Sequence, residues 1–543
     1  MKKYLLGLIS LLTPFLTFAQ DVSGGGDSID SLFKKYTGWF VDFIFLEIPF
    51  SDTFQIPWVL IVLVGGAIYF TIYFRLINIR HFGTAVKVVS GKYEDIEKHG
   101  ARELYDVEDE EEQQEQIEDL LEEDESEGEV SHFQALTAAL SATVGLGNIA
   151  GVAVALSIGG PGATFWMIVA GIIGMASKFT ECTLGVSYRD IDPDGTVYGG
   201  PMYYLKKGLG EKNMAGFGKI LAILFAIFVV GGSVGGGNMF QSNQAAAQFT
   251  QLFNLEGTSA AMWFGIVMAI MVGVVIIGGI KRIAKVTEKV VPFMAGIYVL
   301  AALVILAMNY QHIGAAFGLI FKGAFSGLGI AGGLVGVLIQ GIRRGAFSNE
   351  AGIGSSAIAH SAVKTKYPAS EGIVALLEPF IDTVVICTMT ALVIIITNFD
   401  NNILVYGNEV TEGVVLTANA FDSAIPHFSI ILTVAVILFA FSTMISWSYY
   451  GMQGWAFLFG RSKRTEMVYK FIFCVFTFIG AVISLGSVID FSDAMIFAMA
   501  VPNIIGLVIL APVVRKELKR YLAAIKIKDD AIEDGLEDLQ GKV

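Results

Sequence analysis

The composition is that of an integral membrane protein and excludes a soluble globular enzyme. Of 543 residues, 54% are hydrophobic and 16% are charged, whereas soluble domains carry about 25% charged residues. The net charge of −14 comes mostly from the run 106–129, where 15 of 24 residues are acidic and none is basic. Such a run is typical of a solvated loop, with a regulatory element as the alternative. The rest of the chain is nearly neutral, so the net charge says nothing about an acidic or basic partner, and no nucleic-acid partner is expected.

The N-terminal residues 1–20 have the features of a signal peptide. Two lysines precede a short apolar core that contains Pro14, and Ala19 supplies the small residue near a cleavage point. Either cleavage there or retention as a hairpin would leave residues 21–54 as a periplasmic segment ahead of the first membrane span. An uncleaved membrane anchor is the alternative.

Apolar stretches of membrane-spanning length follow along the rest of the chain. A helix needs about 20 apolar residues to cross the hydrocarbon core, and this criterion predicts about eleven spans, which we number in chain order. The seventh is too long for one straight crossing and is rich in glycine, which predicts a broken helix. The spans lie near residues 55–79, 133–158, 161–186, 216–236, 260–280, 287–308, 328–364, 371–398, 428–459, 465–486 and 492–514.

Basic residues in alternate loops predict the orientation of these spans. The positive-inside rule places those loops in the cytoplasm, together with the acidic run and the C-terminus, and the mature N-terminus in the periplasm. The loop 399–427, on the other side, has no Lys or Arg. With the signal peptide, this predicts a multi-pass protein of a bacterial inner membrane. The basic clusters lie around residues 75–87, 206–207, 281–285, 364–366, 461–464 and 515–520.

Spans two and seven share a glycine-rich interruption, ATVGLGNIAG at 142–151 and GAFSNEAGIGS at 345–355. Each begins a set of five spans, and because five is odd the second set runs opposite to the first. Interrupted segments at matching positions of inverted halves indicate a binding site at the membrane midplane. The sequence therefore predicts an all-α polytopic membrane protein with a 5+5 inverted repeat, two discontinuous helices and one extra N-terminal helix. In chain order, its parts are the extra helix 55–79, the cytoplasmic loop 80–132, the repeats 133–308 and 309–515, and the cytoplasmic tail 516–543.

The interruption in span two predicts where charged groups of a ligand could bind. A broken helix exposes N–H groups, which attract a carboxylate, and carbonyl groups, which attract a cation such as Na⁺. An α-amino acid with Na⁺ satisfies both ends. Gly145 and Gly147 permit the break, and Thr143 and Asn148 supply side-chain oxygens beside it. The alternative is that the glycines permit close helix packing and nothing more.

Charged residues accompany the interruption in span seven. Arg343, Arg344 and Glu350 lie at a depth where charge is costly. We interpret them as a structural ion pair in which Glu350 pairs with either arginine, and direct ligand contact is the alternative. The residues that border the break are the better binding candidates: Phe347, Ser348, Gly352, Ile353 and Gly354.

Span nine, with the sequence FSTMISWSYYG at 441–451, carries a group of hydroxyl side chains. Ser442, Thr443 and Ser446 are one, three and four residues apart, which suits an Na⁺ site completed by carbonyls of span two. Trp447 follows Thr443 by four residues, so its ring could wall a small side chain. The alternative is that each hydroxyl bonds back to its own helix.

Span four continues into an uncharged polar stripe of Asn238, Gln241 and Gln244. A stripe with this three-residue spacing either holds helices together or lines a cavity. The three cysteines, Cys182, Cys387 and Cys474, are far apart in apolar stretches and are interpreted as packing residues. The sequence contains no phosphate-binding loop or HExxH motif, and no catalytic constellation is visible, which argues against an enzyme.

Several motifs together resemble the alanine/glycine:cation symporter family of bacteria and archaea. They are TVGLGNIAGVAVALSIGGPGATFWM, GGPMYYL, GNMFQSNQ, RRGAFSNEAGIGSSAIAHSAVKT, FIDTVVICTMTALVI and FSTMISWSYYG, and the resemblance covers about residues 55–515. It implies a leucine-transporter-like fold and uptake of alanine or glycine coupled to Na⁺, or sometimes to H⁺, by alternating access. No cofactor is expected beyond Na⁺ as coupling ion, and we predict a monomer whose partners are the substrate, Na⁺ and membrane lipid.

The resemblance also implies which residues contact the ligands. Coupling to H⁺ would instead use a core carboxylate among Glu181, Glu350, Glu378 and Asp382, and an ion channel is an alternative of another class. The signal peptide and the acidic insertion 104–130 depart from the family pattern without touching its motifs. The substrate-binding residues would be Gly145, Gly147, Asn148, Gln241, Phe347, Gly352, Ile353, Thr443 and Trp447, and the Na⁺ ligands predicted beside them are Thr143, Gly145, Ser442, Thr443 and Ser446.

Overall fold

The computed structural model is a bundle of helices with two short antiparallel hairpins. The hairpins pair Glu47–Ser51 with Phe54–Pro57, and Asp190–Ile191 with Val197–Tyr198. The predicted signal peptide, 1–20, and the acidic residues 106–127 lie outside the part of the chain that the structure describes. The described residues are 26–51, 54–105, 128–255, 258–326, 333–408, 413–483 and 485–533.

Within those ranges, eight helices are long and apolar enough to cross a membrane, and a bent pair raises the number to nine. Two predicted spans are shorter helices: span one is Trp58–Tyr73, with 16 residues, and span seven begins with Gly333–Asn349, with 17 residues. The count of about eleven therefore stays a prediction. The helices are Gly26–Ile44, Trp58–Tyr73, Ile77–Arg80, Phe82–Val89, Glu94–His99, Ala101–Tyr105, His132–Thr143, Ala150–Gly159, Gly162–Ser187, Pro201–Glu211, Ala215–Val234, Phe240–Leu252, Thr258–Ile276, Gly279–Met308, Tyr310–Ser326, Gly333–Asn349, Ser356–His360, Pro368–Val374, Leu377–Pro379, Thr388–Asn401, Gly413–Ala424, Phe428–Phe459, Lys463–Val482 and Leu485–Glu533.

Span two is broken where its glycines predict. Ser131 begins the first helix with a capping box to Gln134, which satisfies backbone N–H groups at the helix start. The first helix ends at Thr143, a short 3₁₀ turn covers Leu146–Asn148, and the second half continues at an angle of 54°. The Asn148 side-chain oxygen accepts from the Gly145 N–H at 2.9 Å, which stabilises the turn.

Span seven is broken at its predicted position as well. Gly333–Asn349 is followed by an irregular segment and then by the helix Ser356–His360. Glu350, Gly352 and Gly354 have φ values of +55°, +82° and +96°. An α-helix cannot continue through residues in that left-handed region, so the helix must end there.

Two segments of π-helix lie beside these breaks. Gly235–Met239 widens span four, which otherwise runs from Ala215 to Leu252, and Phe380–Cys387 widens span eight. π-helical turns occur frequently at functional sites because the extra residue reorients the side chains around it. These two turns bring span four against span eleven and span eight against span two.

The predicted cytoplasmic loop and tail contain ordered helices. The loop 80–132 includes Phe82–Val89, Glu94–His99 and Ala101–Tyr105. Span eleven continues without interruption to Glu533, well beyond the predicted boundary at 515. Glu129, at the end of the acidic run, accepts from the Val197 N–H at 2.8 Å, so this carboxylate is part of the folded body.

Candidate functional site

A small cavity lies where the two broken spans meet spans four, nine and eleven. Several predicted binding residues line it: Gly145, Gly147, Gln241, Phe347 and Trp447. Glu350 is the charged member of the lining. The full set is Ala142, Thr143, Gly145, Gly147, Gly236, Gln241, Phe347, Ser348, Glu350, Trp447 and Ile496.

Gln241 is the member of the polar stripe that faces the cavity. Its side-chain oxygen accepts from the Leu146 N–H at 3.3 Å, and its amide donates to the Gly236 carbonyl at 3.0 Å. Asn238 instead donates to the Phe473 carbonyl at 2.7 Å and holds spans four and ten together. The stripe thus divides between the two predicted roles.

Two hydrogen bonds join the break in span two to span nine. The Thr443 hydroxyl donates to the Ser141 carbonyl at 2.9 Å, and the Ser141 hydroxyl donates to the Ser442 carbonyl at 2.7 Å. A Cβ atom on Gly145 would lie 2.5 Å from the Thr443 Oγ1. Gly145 has φ of −131°, which any residue adopts, so glycine is required here for space.

The other predicted Na⁺ ligands differ in their surroundings. Ser442 donates back to the Phe439 carbonyl of its own helix at 3.0 Å, as the back-bonding alternative describes. Thr143 lines the cavity and makes a long contact of 3.3 Å to the Ala139 carbonyl. Among the described residues, the buried Ser446 hydroxyl has no hydrogen-bond partner. Hard cations prefer oxygen ligands, and a shared Na⁺ site of Thr143, Thr443 and Ser446 stays a prediction.

Trp447 and Glu350 form one wall of the cavity together. The Trp447 indole N–H donates to the Glu350 Oε1 at 3.1 Å, and the Ser355 hydroxyl donates to the Glu350 Oε2. Phe347 packs edge-on against Phe240, with ring centroids 5.9 Å apart. Phe347 and Trp447, the two aromatic side chains of the lining, limit the size of any molecule that the cavity holds.

The ion pair of span seven involves a different carboxylate from the one predicted. Arg343 and Arg344 contact Asp493 of span eleven, with Nη2–Oδ2 and Nη1–Oδ2 distances of 2.6 Å and 3.4 Å. Glu350 does not pair with either arginine. The helix that carries the arginines ends at Asn349, and the Glu350 carboxylate, just after it, faces Trp447. Arg343 also stacks on Phe45, with 4.2 Å between the guanidinium carbon and the ring centroid.

Asp382 joins the two breaks, and the sequence indicated it merely as one of several core carboxylates. It accepts from the Asn148 amide at 2.6 Å, from the Ser348 hydroxyl at 2.8 Å and from the Thr383 hydroxyl at 2.7 Å. The Asn148 side-chain oxygen accepts from Gly145 and its amide donates to Asp382. Asn148 therefore stabilises the break and does not line the cavity. An aspartate within an apolar span was the available signal.

Gly352 and Ile353 lie away from the cavity lining. The Gly352 carbonyl accepts from the Asn503 amide at 2.9 Å, and a Cβ on Gly352 would meet Leu63 and Ile504 at 3.0 Å and 3.2 Å. Ile353 is fully buried. The break in span seven therefore presents Phe347, Ser348 and Glu350 to the cavity and its later residues to spans one and eleven.

The three cysteines are buried and unpaired with one another, as their spacing predicts. In the described ranges, no group of three or more His, Cys, Asp and Glu side chains is arranged to hold a metal ion. The chemistry of the cavity therefore rests on backbone groups, hydroxyls, amides and the Glu350 carboxylate.

Comparisons with known proteins connect this geometry to one family. The sequence model of the sodium:alanine symporter family matches residues 111–534. The sodium/alanine symporter AgcS of Methanococcus maripaludis is 40% identical over 482 residues, which cover 89% of this chain and 98% of that protein. The probable sodium/glutamine symporter GlnT of Bacillus subtilis is 35% identical over 410 residues, or 75% of this chain and 82% of that protein.

A solved structure shares the fold at low sequence identity. The crystal structure of MhsT in complex with L-phenylalanine superposes with a TM-score of 0.50 and 15% identity, and covers 73% of this chain and 99% of that chain. MhsT has the leucine-transporter fold, so the predicted fold class is confirmed.

Proposed function

Because this chain belongs to the sodium:alanine symporter family, a family of transporters and not of enzymes, we propose that it imports alanine or glycine together with Na⁺. The observation that carries the proposal is the cavity itself. It is bounded by the backbone of both helix breaks, by the Thr143 hydroxyl and by two aromatic side chains. Such a cavity suits a small zwitterion with an adjacent cation.

The residues divide by chemistry into two groups. The break in span two and Gln241 would orient the substrate's charged groups, while Phe347 and Trp447 would close around a small side chain. The hydroxyls of Thr143, Thr443 and Ser446 would hold Na⁺ beside the carbonyl groups of span two. Because Thr443 already binds the Ser141 carbonyl, Na⁺ and the span-two backbone would be coupled through one side chain.

The orientation follows from the distribution of basic residues. In the proposed arrangement, the protein is a monomer in a bacterial inner membrane, with its mature N-terminus in the periplasm and its C-terminus in the cytoplasm. The basic clusters around 281–285, 461–464 and 515–520 support this arrangement.

Uptake under separate gradients tests the proposed coupling. We expect proteoliposomes to accumulate labelled alanine when an inward Na⁺ gradient is imposed at equal pH on both sides. A pH gradient without Na⁺ should give no accumulation above empty vesicles. Uptake that follows the pH gradient alone would instead indicate H⁺ coupling, for which Glu350 on the cavity wall is available.

A competition panel tests the size of the substrate. We expect alanine, glycine and serine at millimolar excess to inhibit uptake of labelled alanine, whereas leucine and phenylalanine should not. The physical reason is the closure of the cavity by Phe347 and Trp447. Glutamine belongs in the panel because a relative is a probable sodium/glutamine symporter. Strong inhibition by leucine would show that these rings do not set the size limit.

A further inference from the structure

A second cluster of buried ionisable side chains lies outside the cavity, at the end of the bundle that the positive-inside rule assigns to the cytoplasm. His132, the first residue of span two, lies between two carboxylates. Its Nε2 is 2.5 Å from the Glu97 Oε2, and its Nδ1 contacts the Glu371 Oε2. Both carboxylates are at most 2% exposed. The cluster therefore joins the loop helix Glu94–His99, span two and span eight at one point.

The same cluster continues toward the break in span seven. Glu371 also contacts the His360 Nδ1 at 2.5 Å, and the His360 Nε2 is 3.5 Å from the Glu378 Oε2. Lys178 of span three pairs with Glu378 at 3.2 Å and donates to Ser356. Side chains from the loop helix Glu94–His99 and from spans two, three, seven and eight are thus linked in one continuous series.

The C-terminal helix closes this cluster from outside. Tyr521 is fully buried and donates its hydroxyl to the Glu97 Oε1. About two turns further on, Lys528 pairs with Asp95 at 2.8 Å, and Asp95 also accepts from the Tyr105 hydroxyl at 2.5 Å. The extension beyond residue 515 is therefore tied to the loop helices, which in turn hold His132.

The first helix of span two is separated from the second by a break in the helix. The two halves meet at an angle of 54°, and non-helical backbone at Val144–Gly145 connects them. At its free end the helix is held by His132, by the pairing of Val130 with Val363 and by a 2.9 Å hydrogen bond from Gln134 to Glu288. The contacts of His132 with the two carboxylates are the strongest of these three restraints, because they involve charged groups in a desolvated environment. Breaking them would therefore free this end of the helix most.

Buried ion pairs contribute little to stability compared with apolar packing, and their best-attested use is to specify or switch one arrangement. We propose that Glu97, positioned by Tyr521, is a latch on His132 that keeps the first helix of span two closed, so that the C-terminal helix controls access to the cavity from this side. The proposal rests on the proposed function, because it assigns these residues to one gate of a transport cycle. In it, Tyr521 and Glu97 are positioning residues that do not contact the substrate.

Cys182 provides a native reporter of opening at this end. It is fully buried, follows Glu181 in span three, and lies close enough to Lys178, Glu378 and Glu371 to interact with them electrostatically. Its rate of reaction with a maleimide in the full-length protein can be followed by peptide mass spectrometry, so Cys387 and Cys474 need not be replaced. We expect Tyr521→Phe to increase this rate about tenfold, because one hydrogen bond to a charged group is lost.

Tyr469→Phe is the matched control. Its hydroxyl bonds to the Ser233 hydroxyl at 2.9 Å and is equally buried, but it lies between spans four and ten, away from the latch. In this variant, Cys182 should react with the maleimide at the wild-type rate. Glu97→Gln is a second variant for the case in which Tyr521→Phe does not fold. It removes the charge facing His132 and retains an oxygen for Tyr521, and it should also accelerate the labelling of Cys182.

Wild-type labelling rates in both folded variants would overturn the latch, as would an equal acceleration in Tyr469→Phe. Failure of the proposed function has a different signature: wild-type vesicles would show no Na⁺-driven alanine uptake, whatever the labelling rates. Accelerated labelling in that case would support the latch and overturn the choice of substrate and ion.

Discussion

Gly145→Ala is expected to lower alanine uptake about 30-fold. The added methyl group would lie 2.5 Å from the Thr443 Oγ1 and 3.4 Å from the Gln241 Oε1, at the edge of the cavity. Either the backbone of span two or the Thr443 side chain must then move. Overpacking of this kind costs about 1–3 kcal/mol, and about 2 kcal/mol corresponds to roughly 30-fold in an equilibrium constant. Initial rates over a range of alanine concentrations give the ratio of kcat to KM.

Gly151→Ala is the matched control within the same span. A Cβ atom on Gly151 would have no neighbour within 4 Å, and Gly151 belongs to the helix Ala150–Gly159, where alanine favours helix formation by about 1 kcal/mol. Its uptake should equal that of the wild type, with unchanged or improved thermal stability. Equal uptake by both variants would show that the close approach of Gly145 to Thr443 is not needed for transport.

Thr443→Ala is expected to raise the Na⁺ concentration for half-maximal uptake by roughly 5- to 150-fold. The hydroxyl lies between the two spans that would share the ion, since it already contacts the Ser141 carbonyl at 2.9 Å. Removing one oxygen from a buried site costs about 1–3 kcal/mol, and that range converts to the stated factor. Uptake measured against Na⁺ concentration at saturating alanine gives the value directly.

Thr443→Ser separates an ion-binding role from a packing role. Serine keeps the oxygen and loses a methyl group, so its Na⁺ dependence should remain within a few-fold of the wild type. If Thr443 serves packing alone, both variants would show wild-type Na⁺ titrations and differ in the amount of folded protein, as measured by size-exclusion chromatography. The cation site would then lie elsewhere.

The two helix breaks could be predicted because their signal is local. Glycines lie close to polar residues in predicted spans, beside Thr143 and Asn148 in span two and beside Ser348 and Asn349 in span seven. Few structures other than an interrupted helix accommodate such a sequence in a membrane. The hydroxyls of span nine were likewise visible as a pattern along one helix. Which of them bond back to the helix could not be predicted, because that depends on neighbours from other spans.

Long-range pairings were beyond the reach of the sequence. Asp493, the partner of Arg343, lies 150 residues after it. Glu350 was predicted as the partner because it is close to the arginines in sequence. The role of Asp382 depends on Asn148, 234 residues earlier. The sequence records the unusual charge in each case, but the identity of the partner is set by how the helices pack.

The loop 80–132 shows a different limit. The sequence predicts a solvated segment for the run 106–129 and gives no sign that Asp95, Glu97 and His99, earlier in the loop, are 1–2% exposed. Charged side chains can be buried when partners satisfy them, and the partners of Asp95 and Glu97 come from the C-terminal helix and span two. Composition alone does not distinguish such a cluster from a hydrated surface.

The length of the last helix has a practical consequence for imaging. Leu485–Glu533 has 49 residues, or roughly 74 Å at a rise of about 1.5 Å per residue, whereas a bilayer with its headgroups is about 40–45 Å thick. Even allowing for bends at Pro502 and Pro512, a rod of roughly 30 Å should project from a detergent micelle, flanked by the loop helices. A bundle enclosed in detergent has few external landmarks, so this projection would mark one face and guide the alignment of particles in electron cryomicroscopy.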